Sequence, residues 1–344
     1  MRLLVIRTSS MGDVALTTPV LRGVMQQYPD VELVLLTRPS FEPFFSSFNR
    51  LTLFFTDLKK RHRGFFGLVR LFTDLCRSGR YDMVIDLHDV LRSLVLRLLF
   101  RLKGVPSFVI DKERRGKRGI ISGKKKTQLK HSVERYLETF ESAGFPLVFT
   151  RGPWIIPSTE AISKIGSITG SQNVLKIGVA PYAKHKLKVW PEEYMLSLLK
   201  LISEKHNAKF FLFGGNDEKE KLSAFQARIA GSVSITGMLN LDEELALISR
   251  LDFMVAMDSS NMHMAALTGT KVISIWGGTD PMSGFGAWMQ PEDYSVRIPV
   301  DELTCRPCTI FGKGECKRGD LACMNWLTPG IVLRKIETLV LSGY

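Results

Sequence analysis

The feature that most constrains this chain is an alternation, present in both halves, of short unbroken apolar runs with longer amphipathic ones. In the first half Leu3–Arg7, Val31–Thr37, Met83–Leu87 and Phe108–Ile110 read as strands. A helical pattern reaching Tyr28 and a leucine-rich helix around Ser93–Arg101 lie among them. In the second half Leu175–Ala180, Phe210–Phe213, Phe253–Met257 and Lys271–Trp276 read as strands. A helix begins at Trp190-Pro191-Glu192-Glu193, with Pro191 near the first helical position and carboxylates in the first turn. Another begins at Asp242-Glu243-Glu244, and a short one runs through His263. Continuous apolar runs of this length suit strands covered on both faces, as in a parallel sheet. Parallel strands need crossover connections, so the alternation predicts doubly wound α/β domains.

At 344 residues the chain exceeds what one hydrophobic core organises, and two domains are expected. Pro146, Gly152, Pro153 and Pro157 gather with Ser158 and Thr159 in a linker-like stretch. The expected division is an N-terminal domain over 1–155 and a second over 156–325. A C-terminal helix over 326–344 would be free to pack back on the first domain. Two such domains would face a central cleft, with ligands held at the carboxyl ends of the strands.

Charge and hydropathy narrow the partners. No apolar stretch approaches the ~18–20 residues of a membrane span, and Arg7 interrupts the opening apolar run too early for a secretory signal. The expected location is cytoplasmic. Lysine and arginine exceed aspartate and glutamate by 47 − 34 = 13. Such an excess favours nucleic acid, a phospholipid surface or a charged glycolipid. Two basic blocks, Lys59-Lys60-Arg61-His62-Arg63 and the stretch from Lys112 to Lys130, lie in the first half. They are either solvated loops or an anion-facing surface of the N-terminal domain. No zinc-finger spacing or aromatic RNA-binding signature accompanies them, so nucleic acid is not an expected partner.

The chemistry-bearing residues follow the strands. Thr8-Ser9-Ser10-Met11-Gly12-Asp13 ends the first strand, where Gly12 permits a tight turn and Asp13 stands at a helix start. The helix dipole keeps such a carboxylate ionised, and it can then accept a proton from an attacking hydroxyl. It can equally serve only as a helix cap. Thr18 and Pro19 offer an alternative helix start. No intact GxGxxG fingerprint is present, which argues against NAD or FAD.

In the second half Lys184, Lys186 and Lys188 precede a helix and could cradle a diphosphate, or be solvated. After Phe213-Gly214-Gly215, Glu218 could hold ribose hydroxyls, while Asn216 or Asp217 could simply cap a helix. Asp258-Ser259-Ser260-Asn261-Met262-His263 places small hydroxyl residues at a helix N-terminus suited to phosphate. His263 there is either a phosphate ligand or structural. Gly277-Gly278-Thr279-Asp280-Pro281 closes the next strand with a turn.

Taken in order, these segments resemble the ADP-heptose:lipopolysaccharide heptosyltransferases, glycosyltransferase family nine. The likeness is carried by Thr8–Asp13, Lys188-Val189-Trp190-Pro191, Phe213-Gly214-Gly215, Asp258-Ser259-Ser260 with His263 and Ala265-Ala266, and Thr279-Asp280-Pro281. It implies a GT-B architecture of two Rossmann-like domains and inverting transfer of heptose from ADP-heptose to the inner core of lipopolysaccharide. It also implies roles. Asp13 would be the general base, and Lys188 would neutralise the departing diphosphate. Ser10, Gly12, Lys184, Glu218, Asp258, Ser259, Ser260 and His263 would meet the donor, with Asp258 fixing either the turn or the sugar.

Asp86-Leu87-His88 with Arg92-Ser93, and His131–Arg135, are similar to family segments on the acceptor side. There Lys60, Arg63, Arg92 and Arg135 would meet an anionic Kdo-containing acceptor. The basic face is compatible with peripheral contact with the inner membrane surface through anionic lipid, and the resemblance implies no cofactor beyond the ADP-sugar substrate. The family often has glycine at the position of Ser260 and hydroxyl residues at those of Ala183 and Lys184. These departures leave the sugar open more than the nucleotide fold; the alternatives are the same fold transferring another sugar from a different nucleotide donor, or a protein that only binds a nucleotide-sugar. Cys305-x-x-Cys308, Cys316 and Cys323 could hold a structural metal or be free thiols or a conditional disulfide. A catalytic metal is not expected.

Overall fold

The computed structural model describes residues 1–124, 127–149, 151–169 and 173–341. The chain divides into two compact units, one of residues 1–112 and 132–156, the other of 113–131 and 157–344.

The first unit is built on five strands, β1 (Arg2–Ile6), β2 (Glu32–Thr37), β3 (Leu51–Phe55), β4 (Met83–Asp86) and β5 (Ser107–Val109). They are parallel throughout, in the order β3-β2-β1-β4-β5. The helices of the first half are α1 (Met11–Ala15), α2 (Thr18–Gln27), α3 (Gly64–Arg77), α4 (Leu91–Leu102), α5 (Arg114–Ile121) and α6 (Ser132–Ser142). The helical run reaching Tyr28 is therefore two helices. Thr17 caps the second and Pro19 sits in its first turn, where its missing N–H costs nothing. On one face of the sheet α3 and α4 bury Leu68, Leu71, Leu75, Leu96 and Phe100 against Leu4, Ile6, Val34 and Val84.

The second unit has six parallel strands: β6 (Leu175–Ala180), β7 (Ala208–Leu212), β8 (Ser232–Ser234), β9 (Phe253–Met257), β10 (Lys271–Ile275) and β11 (Ser295–Val296). Their order is β11-β10-β9-β6-β7-β8. Its helices are α7 (Thr159–Lys164), α8 (Gly166–Thr169), α9 (Glu192–Lys205), α10 (Lys219–Gln226), α11 (Leu241–Ile248), α12 (Ser260–Thr268), α13 (Ala322–Asn325) and α14 (Pro329–Ile336). Because all strands in a sheet run the same way, every strand end that carries a motif opens on one edge of its own sheet.

One segment lies elsewhere than a single cut at residue 155 would put it, and the C-terminal helix packs within the second unit and not back on the first. Glu113–His131 belongs with the second unit. Leu129 N–H donates to the Met282 carbonyl, Lys117 lies over the Phe285 ring, and the His131 ring stacks on Trp288. The C-terminal helix α14 packs on α9, and Val332, Leu333, Ile336 and Val340 enter the second unit's core. Its apolar face is thus used within its own unit. Among the described residues no helix is long and apolar enough to cross a membrane.

Candidate active site

The first strand end is organised by a buried arginine. Arg7 follows β1 and is 6 % exposed. A guanidinium at such a place needs partners, and it has them in the Asp13 carboxylate, 2.8 Å away, and the Leu87 carbonyl. It also lies over the Tyr136 ring at 5.8 Å. Ser10, not Asp13, is the N-cap of α1, and Asp13 stands three residues in. Its Oδ2 accepts from the Ser10 hydroxyl at 2.6 Å and the Ser10 N–H at 3.2 Å. The Tyr136 hydroxyl donates to the Asp13 carbonyl at 3.2 Å. The carboxylate is therefore oriented by three groups on one oxygen, and its side chain remains 27 % exposed.

The next strand end packs beside it. Asp86, fully buried at the end of β4, accepts from the His88 and Asp89 N–H groups at 2.9 Å each. Its other oxygen lies 3.1 Å from Arg97 Nε. The turn so fixed aims His88 at the first loop, with Nδ1 3.2 Å from Thr8 Oγ1 and Nε2 3.2 Å from Ser9 Oγ. Burial, together with the Arg7 and Lys112 cations, pushes the His88 imidazole down to about 3. His88 is thus a neutral brace between the two loops.

A pH dependence follows. A neutral, buried His88 that would titrate near ~6.5 when unfolded makes the unfolded chain the stronger proton binder below that pH. Its contribution to stability is complete above about pH 6.5 and declines as pH falls toward 3. His88→Gln is expected to be less stable than wild type by about 1–2 kcal/mol at pH 8. The gap should shrink below about pH 6.5, close between about pH 5 and 6, and reverse toward pH 4, where wild type has lost about 3 kcal/mol. Thermal denaturation across that range checks it, and a constant gap would contradict it.

In the second unit the strand ends of β6, β9 and β10 converge on Asp258. Lys188 Nζ lies 2.8 Å from Asp258 Oδ2, and the Thr279 hydroxyl donates to the same oxygen at 2.8 Å. The Lys188 stem crosses Gly312, whose φ of +79° and lack of a side chain admit it; a Cβ there would sit 2.6 Å from Lys188 Cγ. Gly278 ties the loops together. Its N–H donates to the Leu187 carbonyl and its carbonyl accepts from the Cys308 N–H. Arg306, 2 % exposed, donates to the Gly277 and Thr279 carbonyls and lies 3.4 Å from Asp280.

Ser259 caps α12 and its Oγ is buried without a hydrogen-bond partner. Ser260 begins the helix and His263 is buried one turn in. The helix closes on Gly269 at φ +91°, so its N-terminus is fixed by the strand and its C-terminus by a glycine cap. At the end of β7 the Glu218 carboxylate accepts from the Gly215 N–H at 2.9 Å, a cap on its own turn. Lys184 is exposed.

The expected acceptor cations differ in setting. Lys60, Arg63 and Arg92 are exposed at the ends of β3 and β4. Arg135 is 3 % exposed and donates to the Ser132 hydroxyl and the Lys112 carbonyl. It braces the first unit from inside, because Ser132 and the turn at Lys112 already occupy its fork. The four tail cysteines come together around a cavity of about 230 Å³ that Arg306 and Arg318 also line. Burial pushes the Cys308 thiol up and the Cys323 thiol to about 11, with the neighbouring cysteines adding to both. Among the described residues no group of three or more His, Cys, Asp and Glu is arranged to hold a metal ion.

Residues 68–307 match the model of glycosyltransferase family 9 (heptosyltransferase), well over half of the chain. The chain belongs to that family. An Escherichia coli lipopolysaccharide heptosyltransferase 1 is 24% identical to it over 317 residues, covering 88% of this chain and 94% of its own. Among solved structures, a family 9 glycosyltransferase from Veillonella parvula superimposes with a TM-score of 0.77 at 18% identity, covering 99% of this chain and 98% of its own. The E. coli ADP-heptose lipopolysaccharide heptosyltransferase II does so at 0.72 and 19% identity, covering 99% of each. The fold of this glycosyltransferase is thus the expected α/β, GT-B type, with two Rossmann-like parallel sheets.

Several residues of these strand-end clusters escape a reading by motif. Arg7 reads as the charge that ends an apolar run, yet a buried arginine beside one carboxylate-bearing loop already implies the pair with Asp13. His88 belongs to a segment similar to the family's, but its contact with Thr8 and Ser9 depends on β1 and β4 being neighbours. Arg306 is hidden among the cysteines, and nothing in its sequence context announces the Thr279–Asp280 turn.

Proposed function

We propose that this family 9 glycosyltransferase transfers heptose from ADP-heptose to the inner core of lipopolysaccharide, a Kdo-lipid A or heptosylated acceptor, with inversion at the anomeric carbon. Asp13 takes the proton of the acceptor hydroxyl as its oxygen bonds to the anomeric carbon. The bond from that carbon to the diphosphate oxygen breaks, and ADP leaves with the electron pair. Lys188 meets the charge that grows on the diphosphate, oriented by Asp258, and Ser259, Ser260 and His263 at the start of α12 offer further donors. Glu218 holds the adenosine ribose, and Ser10, Gly12 and Lys184 complete the donor contacts. Lys60, Arg63 and Arg92 receive the acceptor's carboxylates. The donor is a substrate, and the scheme calls on no resident cofactor.

The observation that carries this reading is the Asp13 carboxylate, part-exposed yet fixed by Arg7 and Ser10 at the carboxyl edge of the first sheet. The functions named for the relatives support the choice of sugar and acceptor. The experiment is ADP release from ADP-heptose with and without a truncated lipopolysaccharide acceptor, alongside UDP-glucose as a competing donor. Acceptor-dependent release from ADP-heptose alone is expected. Turnover of UDP-glucose in its place would overturn the donor assignment, and tight ADP binding without release to any inner-core acceptor would overturn the acceptor.

A further inference from the structure

The first unit carries an apolar surface that its own packing does not use. On α4, Leu91, Leu94, Leu98 and Leu102 are 77 %, 40 %, 52 % and 85 % exposed. Their spacing of three, four and four residues puts them within one narrow stripe of the helix. The opposite face, Ser93, Leu96 and Phe100, is the buried one. At the start of α3, Phe65 and Phe66 are 63 % and 87 % exposed, edge to face with each other. The two helices pack together through the Phe72 and Phe100 rings, 4.9 Å apart. Because each follows a parallel strand, α3 and α4 both begin at the sheet edge that holds Asp13.

The charge around these side chains is predominantly basic, and Asp89 beside Leu91 is paired with Arg97. Lys59, Lys60, Arg61 and Arg63 are exposed just before Phe65, and Arg92, Arg101 and Lys103 flank the leucine stripe. The sequence of α4 contains no acidic residue. The only acid in α3, Asp74, is paired with Arg61 and His62. Asp57 is folded back on the N–H groups of Lys59 and Lys60. A second copy of the chain would bring two like-charged faces together. An anionic bilayer complements both properties, taking the phenylalanine and leucine side chains below the headgroups and the cations at their level.

We infer that the leucine face of α4 and the Phe65-Phe66 tip of α3 form the docking surface of this protein on anionic phospholipid membranes. For its purpose, bringing the Asp13 edge to a lipid-linked acceptor, it rests on the proposed function; the binding itself needs no acceptor. Contact made this way is peripheral, since side chains of one helix face enter the lipid and the helix itself lies along the surface.

The test is sedimentation of the full chain with vesicles of equal parts phosphatidylglycerol and phosphatidylcholine, against vesicles of phosphatidylcholine alone. Wild type is expected to bind the first and not the second. The double variant Leu94→Ser/Leu98→Ser and the variant Phe66→Ser are each expected to lose at least about tenfold in partitioning. Both change exposed positions, and transfer to a water-soluble, delipidated core acceptor should stay at the wild-type rate. Unchanged partitioning of both variants would overturn the inference, as would absence of binding to the charged vesicles. A concentration-dependent dimer abolished by Leu94→Ser/Leu98→Ser, with vesicle binding intact, would assign the stripe to a second copy instead. Loss of transfer to the soluble acceptor in wild type would count against the proposed function and leave the vesicle result standing.

Discussion

Asp13→Asn is expected to lower kcat by about 10²–10⁴-fold while leaving affinity for ADP within about twofold of wild type, a difference of a few tenths of a kcal/mol. Asparagine keeps the size of the side chain and an oxygen for the Ser10 hydroxyl and N–H, so the start of α1 should survive. It cannot take up the acceptor's proton. A residue that served only the helix would behave differently, because an amide in the third helical position satisfies the Ser10 N–H almost as well as a carboxylate. Near-wild-type turnover by Asp13→Asn would therefore demote Asp13 to a structural role. Asp13→Ala is the poorer probe. Both variants remove the charge facing buried Arg7, but alanine also removes the oxygen it bonds, and losing a partner of such a pair outright costs about 3–5 kcal/mol. Calorimetry should show Asp13→Ala melting well below Asp13→Asn, and an equal Tm for the two would mean that the Leu87 carbonyl and the Tyr136 ring suffice for Arg7.

How far the site is legible in the sequence follows from how locally each part is made. The central strands β1, β6 and β9 are covered on both faces, so they read directly as mainly apolar runs, with charge confined to Arg2 and Lys176 near their starts. The strands that leave no such mark are edges. Leu51–Phe55 mixes part-buried and exposed residues without strict alternation, and Ser232–Ser234 and Ser295–Val296 are too short to show a period. The same rule governs the chemistry. Asp258 closes a buried strand and Asp13 lies in the first turn of the helix after one, so their positions need only the strand before them. The contacts of Arg7 with Leu87, of His88 with Thr8 and Ser9, and of Lys188 with Asp258 join loops from different strands of a sheet. Strand order, β3-β2-β1-β4-β5 and β11-β10-β9-β6-β7-β8, brings them together, and no local pattern encodes that order. Arg135 shows the converse. The likeness of His131–Arg135 to a family segment implies an anion contact, whereas Arg135 is buried and donates to Ser132 and the Lys112 carbonyl.

Lys188→Ala is expected to lower kcat/KM for ADP-heptose by about 10²–10³-fold, the range for removing one preorganised donor from developing charge. Affinity for ADP should fall by about tenfold or more, as for a lost charge-assisted hydrogen bond. The competing explanation is that Lys188 serves only to neutralise Asp258, which is 7 % exposed and would be left as a buried carboxylate held by Thr279 alone. A double-mutant cycle with Asp258→Asn separates the two. In the Asp258→Asn background there is no buried charge to neutralise. If Lys188 acts on the departing diphosphate, Lys188→Ala still costs most of its rate in that background, and Asp258→Asn alone loses less, through looser placement of the ammonium. If Lys188 serves only Asp258, the double variant matches Asp258→Asn in rate and recovers the Tm lost in Lys188→Ala. Geometry favours the first outcome. An ammonium has three donors, and the ion pair with Asp258 engages one of them, in a side chain that is 16 % exposed. A salt bridge built for stability alone gains nothing from a lysine stem laid across a glycine at φ +79°, a position that keeps the chain close and the ammonium in one place. That expense of backbone freedom is explicable when the position of the charge, and not only its presence, is what the transfer step requires.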